Sequence, residues 1–286
     1  MPRLVLLYHK IIAGSDDIDD PHRISVSERN LADQIAVLKR LARIISLDEW
    51  LSVPVDDERT ALITFDDGYR NSLQIAQALL GEAGAKAVAF VCPGHIGMTA
   101  PFWWDRLTMS LDAEGGLSRE ELARHGDVLM RLPYEEADAR SRVLCGSRDE
   151  NGALPGDIVV SDWDDIRSLD PAVFAIAHHG FHHNCLSALT TARLDQEFSS
   201  STRCFLSHGV PAHRVLAYPF GFPGSISMDQ IRECVSRHFV TAFTSSRGIE
   251  VVGRPLNRLL TPRNYVEDWP AGHFKDWLTA KFDSVP

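Results

Sequence analysis

Short apolar runs alternate with longer stretches of helical spacing along most of this chain. Leu4–Tyr8, Ile44–Leu47, Ala61–Phe65, Ala87–Cys92, Val173–Ala177, Val215–Tyr218 and Thr241–Thr244 are brief and read as buried strands. Between the first two lies Glu28–Arg43, where Leu31, Ile35, Leu38 and Leu41 recur every three or four residues and predict a helix. Arg70–Ala83 carries Leu73, Ile75, Ala76, Leu79 and Leu80 and predicts a second. Thr190–Ser207 predicts a third, with Thr190 and Thr191 as candidate caps, and Ser225–Arg237 separates the last two strands. Strand–helix alternation of this kind implies a parallel sheet with crossover helices. About seven such units suggest an α/β barrel, closed or incomplete, with a doubly wound open sheet as the competing architecture.

One stretch breaks the rhythm. From about 99 to 160 the chain holds Phe102-Trp103-Trp104-Asp105-Arg106-Leu107 and two charged helical patterns. It reads as a helical insertion after the fourth strand, with too few large apolar residues for a core of its own. The expectation is one domain over 1–286.

Composition narrows the function classes. The chain has 286 residues, 44% hydrophobic and 24% charged, which fits an ordinary globular protein and no disordered or fibrous class. Its 29 Lys+Arg against 39 Asp+Glu give a net charge of −10, which argues against a broad nucleic-acid surface. The N-terminal run Leu4–Tyr8 is far shorter than the roughly 20 residues of a membrane span and lacks a signal-peptide pattern, so a cytoplasmic place is expected, at most loosely at the inner membrane face. Five cysteines with no C-x-x-C pair predict buried reduced thiols rather than disulfides. Histidine is the outlier, with 12 in all and four of them, His178, His179, His182 and His183, within six residues.

Three constellations close predicted strands. Thr64-Phe65-Asp66-Asp67-Gly68 places two carboxylates where a strand ends, the edge at which parallel α/β folds carry their sites. Adjacent carboxylates repel unless a cation sits between them. A metal resolves this, with one Asp as ligand and the other nearby as a base. Ile176–Asn184 runs a strand into the histidine cluster, where His178 with His182, or His179 with His183, could share one metal, and spacing does not choose between the pairs. Two imidazoles and a carboxylate suit a catalytic zinc or another divalent ion and leave positions open for water and substrate. Leu216–Gly221 ends a third strand in an aromatic–Pro–aromatic–Gly turn that could aim a backbone N–H at the site.

In this order the three motifs resemble the polysaccharide deacetylases, the NodB-homology or carbohydrate esterase family 4. The T-F-D-D-G motif is matched in full by Thr64–Gly68. The H-[ST]-x-x-H-x-x-L motif aligns with His179, Gly180, His183 and Leu186, and Ala217–Gly221 matches the third motif loosely. Tyr8-His9, the F-W-W-D-R-L segment and Ser161–Ile166 resemble one branch of the family. The resemblance implies a distorted (β/α) barrel of seven or eight parallel strands. It implies one divalent metal, zinc by default with Co2+, Ni2+, Mn2+ or Fe2+ also suitable, held by Asp67, His179 and His183. It implies Asp66 as general base and the Phe220 backbone N–H as oxyanion donor. The reaction implied is hydrolysis of an acyl group, N-acetyl above all, from an amino sugar that is free, nucleotide-linked or lipid-linked.

Two departures stand out. The Arg of the third motif is Ala217, and Arg263 resembles the substitute used in this branch, with Arg258 a weaker candidate. The family's late L-x-H acid is not evident, which leaves His9, His178 or His182 as candidate acids, while His238 and His273 read as surface residues. Trp103, Trp104, Tyr69, Tyr218 and His178 are candidate sugar contacts, although packing beneath the insertion explains the tryptophans as well. The competing functions are an amide hydrolase or deformylase of small compounds, and a sugar-binding protein without turnover.

Overall fold

The computed structural model describes residues 2–14, 18–52, 58–111, 116–146, 154–226, 228–251 and 257–284. Strand β1 (Pro2–Tyr8) leads to the short β2 (Lys10–Ile12), which pairs with β3 (Ser25–Ser27). Helix α1 (Glu28–Leu41) starts at once, because the Ser27 hydroxyl accepts the Asn30 N–H as an N-cap. Then come β4 (Arg43–Ile44), α2 (Leu47–Leu51), β5 (Thr60–Phe65), α3 (Arg70–Ala83) and β6 (Ala87–Val91). The inserted stretch forms α4 (Trp103–Met109), α5 (Arg119–Leu129) and α6 (Tyr134–Cys145), and α7 (Trp163–Ser168) leads back to β7 (Phe174–His178). After it come α8 (Thr191–Ser207), β8 (His213–Ala217), α9 (Pro223–Ile226), α10 (Asp229–His238) and β9 (Thr241–Phe243). Last are β10 (Glu250–Val251), β11 (Asn264–Tyr265) and α11 (Ala271–Asp283).

The strands form one curled sheet in the order β10-β1-β5-β6-β7-β8-β9, with β11 on β1 and β4 on β5. All pairs are parallel except β1 with β10, so the fold is the expected distorted (β/α) barrel, open on one side. The strand period of two sorts the core into layers. Leu4, Leu6, Tyr8, Ala61, Ile63 and Phe65 face outward onto α1, α3 and α11, where Leu31, Leu38, Leu73, Leu80 and Phe274 are buried. Val5, Leu62, Val88, Phe90, Val215 and Phe243 fill the inside.

Two expectations change. The strand expected over Ile44–Leu47 is only β4, because Ser46 caps α2 through a complete capping box with Glu49 and turns the chain into a helix. The inserted stretch also has an apolar cluster of its own. Phe102, Trp103, Trp104, Leu107, Leu122, Leu129 and Tyr134 pack together with Tyr69 from the barrel. A few large aromatics, with one borrowed ring, replace the many aliphatic residues that a separate core would need.

Candidate active site

The parallel strands deliver their ends to one edge. Asp66 and Asp67 follow β5, His179 follows β7, Tyr218 and Phe220 follow β8, and His9 follows β1. Arg263 precedes β11, whose Asn264 and Tyr265 pair with Leu6 and Leu7 near the end of β1, so it arrives at the same edge. Asp66, Asp67, His179, Tyr218, Phe220, His9, Arg263 and Tyr265 line one cavity of about 370 Å3, with Trp103, Trp104 and α5 as its far wall.

The turn after β5 is tight. Asp67 adopts a left-handed φ of 72° and Gly68 one of 83°, and a Cβ on Gly68 would stand 2.5 Å from Val91 Cγ1. Only glycine fits there. Asp67 is thereby turned toward the histidines. Its Oδ1 lies 3.5 Å from His179 Nε2 and 3.4 Å from His183 Nε2. The choice left open by spacing resolves by strand alternation. His178 is the last residue of β7 and points to the outer face, whereas His179 points inward.

The donor chemistry fits a divalent metal. His179 Nδ1 donates to the Ala217 carbonyl at 2.8 Å, which fixes the tautomer and leaves the Nε2 lone pair facing Asp67. Asp67 Oδ1 and His183 Nδ1 are buried without a hydrogen-bond partner. Ligands about 2.0–2.1 Å from a tetrahedral ion stand about 3.3–3.4 Å apart, close to the two Nε2–Oδ1 separations. The ligand atoms of Asp67, His179 and His183 all lie within 4.8 Å of one another. Burial would raise the Asp67 carboxyl, but His179 and His183 outweigh it and hold it well below the usual carboxylate range. Burial lowers His183, while Asp66 and Asp67 overcome burial at His179 and raise it.

Asp66 has a different partner. Arg263 grips it with two hydrogen bonds of 2.6 Å, Nη1 to Oδ1 and Nη2 to Oδ2, and both side chains are buried. Arg263 is itself held by the Thr244 carbonyl at 3.1 Å and the Thr64 hydroxyl at 3.3 Å. Burial pushes the Asp66 carboxyl up, but the Arg263 and His179 charges outweigh it and hold the carboxyl below its ordinary value. His9 stacks on Tyr265 with ring centroids 5.7 Å apart, and burial lowers its pKa. Phe220 sits at a left-handed φ of 59° in the turn after β8.

A family model for polysaccharide deacetylases matches residues 54–237, about two thirds of the chain. The chain belongs to the polysaccharide deacetylase family. Three solved structures share the fold of this family member. BC0361, a polysaccharide deacetylase from Bacillus cereus, superposes with a TM-score of 0.62 at 17% identity, covering 96% of this chain and 68% of that one. The Streptococcus pyogenes deacetylase PplD in complex with acetate gives 0.62 at 14% identity and 98% of each chain. IcaB from Ammonifex degensii gives 0.60 at 17% identity and 96% of each chain. No curated protein matches the sequence significantly.

Four sequence-based candidates, His178, His182, Tyr69 and Arg258, lie outside the cavity of this deacetylase-family chain. His178 packs against Phe205 and Phe239, and its Nδ1 is 2.7 Å from the Ser201 hydroxyl, so it is a core histidine that does not line the cavity. His182 is exposed and packs on Phe181 and His95. Tyr69 is fully buried, its hydroxyl donating to Asp105 at 2.8 Å and accepting from Trp104 Nε1 at 2.9 Å, so it braces Trp104 from behind. Trp103, Trp104 and Tyr218 do line the cavity, and Arg258 does not. His238 is partly buried and paired with Asp195 at 2.9 Å, while His273 is exposed.

Sequence reasoning missed two positions. Buried Glu197 on α8 accepts the N–H groups of Phe181 and His182 at 2.8 Å each and the Asn184 amide at 2.9 Å. It thus holds the loop between His179 and His183. Its signal was a carboxylate in the apolar stripe Leu194, Glu197, Phe198, Ser201, Phe205. Gly180, which replaces the family's usual hydroxyl residue, adopts φ 78°, and a Cβ there would come within 3.0 Å of Glu197. The second position is His22, which lines the cavity from the loop between β2 and β3.

Proposed function

We propose that this chain is a metal-dependent hydrolase that removes an N-acetyl or related acyl group from an amino sugar. What carries this reading is the buried cluster of Asp67, His179 and His183 beside the Asp66–Arg263 pair, on one cavity of a deacetylase-family fold. Residues 1–286 serve as one catalytic domain in this reading. The donor set favours zinc, and Co2+, Ni2+, Mn2+ or Fe2+ suit the same ligands.

Asp67, His179 and His183 would hold the ion, whose chemistry is to acidify a water and polarise the acyl carbonyl. Asp66 is the base that takes the water proton as the oxygen adds to the carbonyl carbon. Arg263 keeps Asp66 ionised and fixes its orientation, in place of the arginine absent at Ala217. The Phe220 backbone N–H stabilises the oxyanion. The C–N bond then breaks, and the leaving nitrogen takes up the proton that Asp66 removed from water, with His9 as the candidate group that relays it. The products are acetate and the free amine. Tyr218, Trp103 and Trp104 bind the sugar.

The test is acetate release by metal-loaded protein from N-acetylglucosamine and short N-acetylglucosamine oligomers. Release that disappears in Asp66→Asn while the metal stays bound supports the reading. Full activity in that variant would show that Asp66 is not the base.

A further inference from the structure

His22 has no role in the chemistry above, yet its placement is built. The Asp20 carboxylate accepts the backbone N–H groups of His22 at 2.9 Å and of Ile24 and Ser25 at 2.8 Å each. Arg23 adopts a left-handed φ of 55° and pairs with Glu267, which fastens the other side of the loop. The imidazole lines the cavity, and its Nε2 is buried with no hydrogen-bond partner. Burial lowers the pKa of His22 and keeps the ring neutral. A neutral ring that carries its proton on Nδ1 presents Nε2 as an acceptor. A bare acceptor in a cavity wall is a place for a ligand's donor group. Tyr218 also lines this cavity, and its hydroxyl, a donor and an acceptor, is likewise buried without a partner.

The charge of the cavity limits what can enter. Among its described lining residues, Arg263 is the only Lys or Arg, and its guanidinium is closed on Asp66. Asp127 on α5 adds a carboxylate to the far wall. A phosphate beside the reacting sugar would meet that carboxylate and find no cation for a bidentate grip. The volume of about 370 Å3 is at the small end of the roughly 300–1,000 Å3 of small-molecule sites, which suits one ring with its acyl group.

We infer that the cavity takes a single uncharged acylated amino-sugar ring and that His22 selects it, its Nε2 accepting a hydrogen bond from a ring hydroxyl. This rests on the acyl-sugar reading above. His22 is a specificity residue and takes no part in the acyl transfer to water.

The test compares kcat and KM of the metal-loaded full chain on N-acetylglucosamine, its 1-phosphate and its uridine diphosphate derivative. Wild type should prefer the neutral sugar by tenfold or more in kcat/KM. His22→Phe should raise KM for the neutral sugar by up to about tenfold with kcat nearly unchanged, and His22→Gln, which keeps an acceptor, should recover most of the loss. Near-UV circular dichroism checks the fold of both variants. If His22→Phe does not fold, a series of monodeoxy N-acetylglucosamines on wild type carries the same test. One member should show the raised KM, and a flat series overturns the assignment. Equal use of the phosphorylated sugars, or an unchanged KM in folded His22→Phe, overturns the inference and leaves the acyl-sugar reading standing. No acetate from any of the sugars, with metal bound and the fold intact, overturns the parent reading and this one with it.

Discussion

Replacing Arg263 by Met tests the centre of the site, because it strips the guanidinium from a buried carboxylate and leaves the volume nearly filled. Arg263 and Asp66 share two 2.6 Å hydrogen bonds and are 1% and 2% exposed. Removing one partner of such a pair leaves an unpaired buried charge, at a cost of about 3–5 kcal/mol. The charge adapts by taking up a proton. In wild type the Asp66 carboxyl is held below its ordinary 3.8. Its contribution to stability is therefore full above 3.8 and fades as pH falls through the lower folded value. Without Arg263 the desolvation of Asp66 loses its main opponent, and the folded value moves upward. The acid limb of kcat/KM should move up with it. Urea unfolding at pH 7 should show the loss of stability, and Asp66→Leu combined with Arg263→Met should recover most of it, since a paired apolar replacement leaves no buried charge. A stability loss below about 1 kcal/mol in the single variant, or an acid limb that stays in place, would refute the reasoning.

Other outcomes follow from the same geometry. Stripping the metal with a chelator should lower the melting temperature, and zinc should restore it in wild type but not in His183→Ala, by about 4 kcal/mol at a thousandfold excess over Kd. His178 and His95 are buried, with pKa values lowered from 6.5 to about 4. A depressed histidine stabilises fully above 6.5 and loses that contribution as pH falls toward 4, about 3 kcal/mol per group. Urea midpoints between pH 7.5 and 5 should fall accordingly, and His178→Phe should flatten the slope while leaving turnover intact. Gly126 lies inside α5 on the cavity wall, and a Cβ there meets nothing within 4 Å. Gly126→Ala should stabilise the protein by up to about 1 kcal/mol in thermal melts with activity kept, whereas Gly126→Trp should raise KM.

Much of this could be read from residue order because it follows local periodicity. The apolar runs before Asp66, His179 and Tyr218 mark strand ends, and α3 falls on the expected Arg70–Ala83. Long-range closure was less legible. The Arg263–Asp66 contact spans 197 positions, and only a family resemblance pointed to it. The strands β10 and β11 are two residues each, too short for any alternation to show. The histidine register depended on which residue ends β7, a one-residue question that moves every side chain to the opposite face. His22 carried no pattern at all, since its loop is shaped by the Asp20 carboxylate rather than by a repeat.

The two nearest helices of the inserted stretch meet the cavity on unequal terms. α4 is tied in, with Asp105 ion-paired to Lys10, Trp104 braced by Tyr69, and the Trp104 ring 4.7 Å from that of His183. α5 supplies Leu122, Ala123, Gly126 and Asp127 to the wall, with Met130 at its C-cap, and its own capping box at Ser118 and Glu121 starts it without help from the barrel. Change on α4 therefore disturbs the surroundings of His183, whereas change on α5 alters the shape and charge of the space above it. That division makes α5 the evolvable part of the cavity. A library confined to its cavity-facing positions should shift which ligand the cavity accepts while Asp66, Asp67, His179, His183 and Arg263 keep their arrangement.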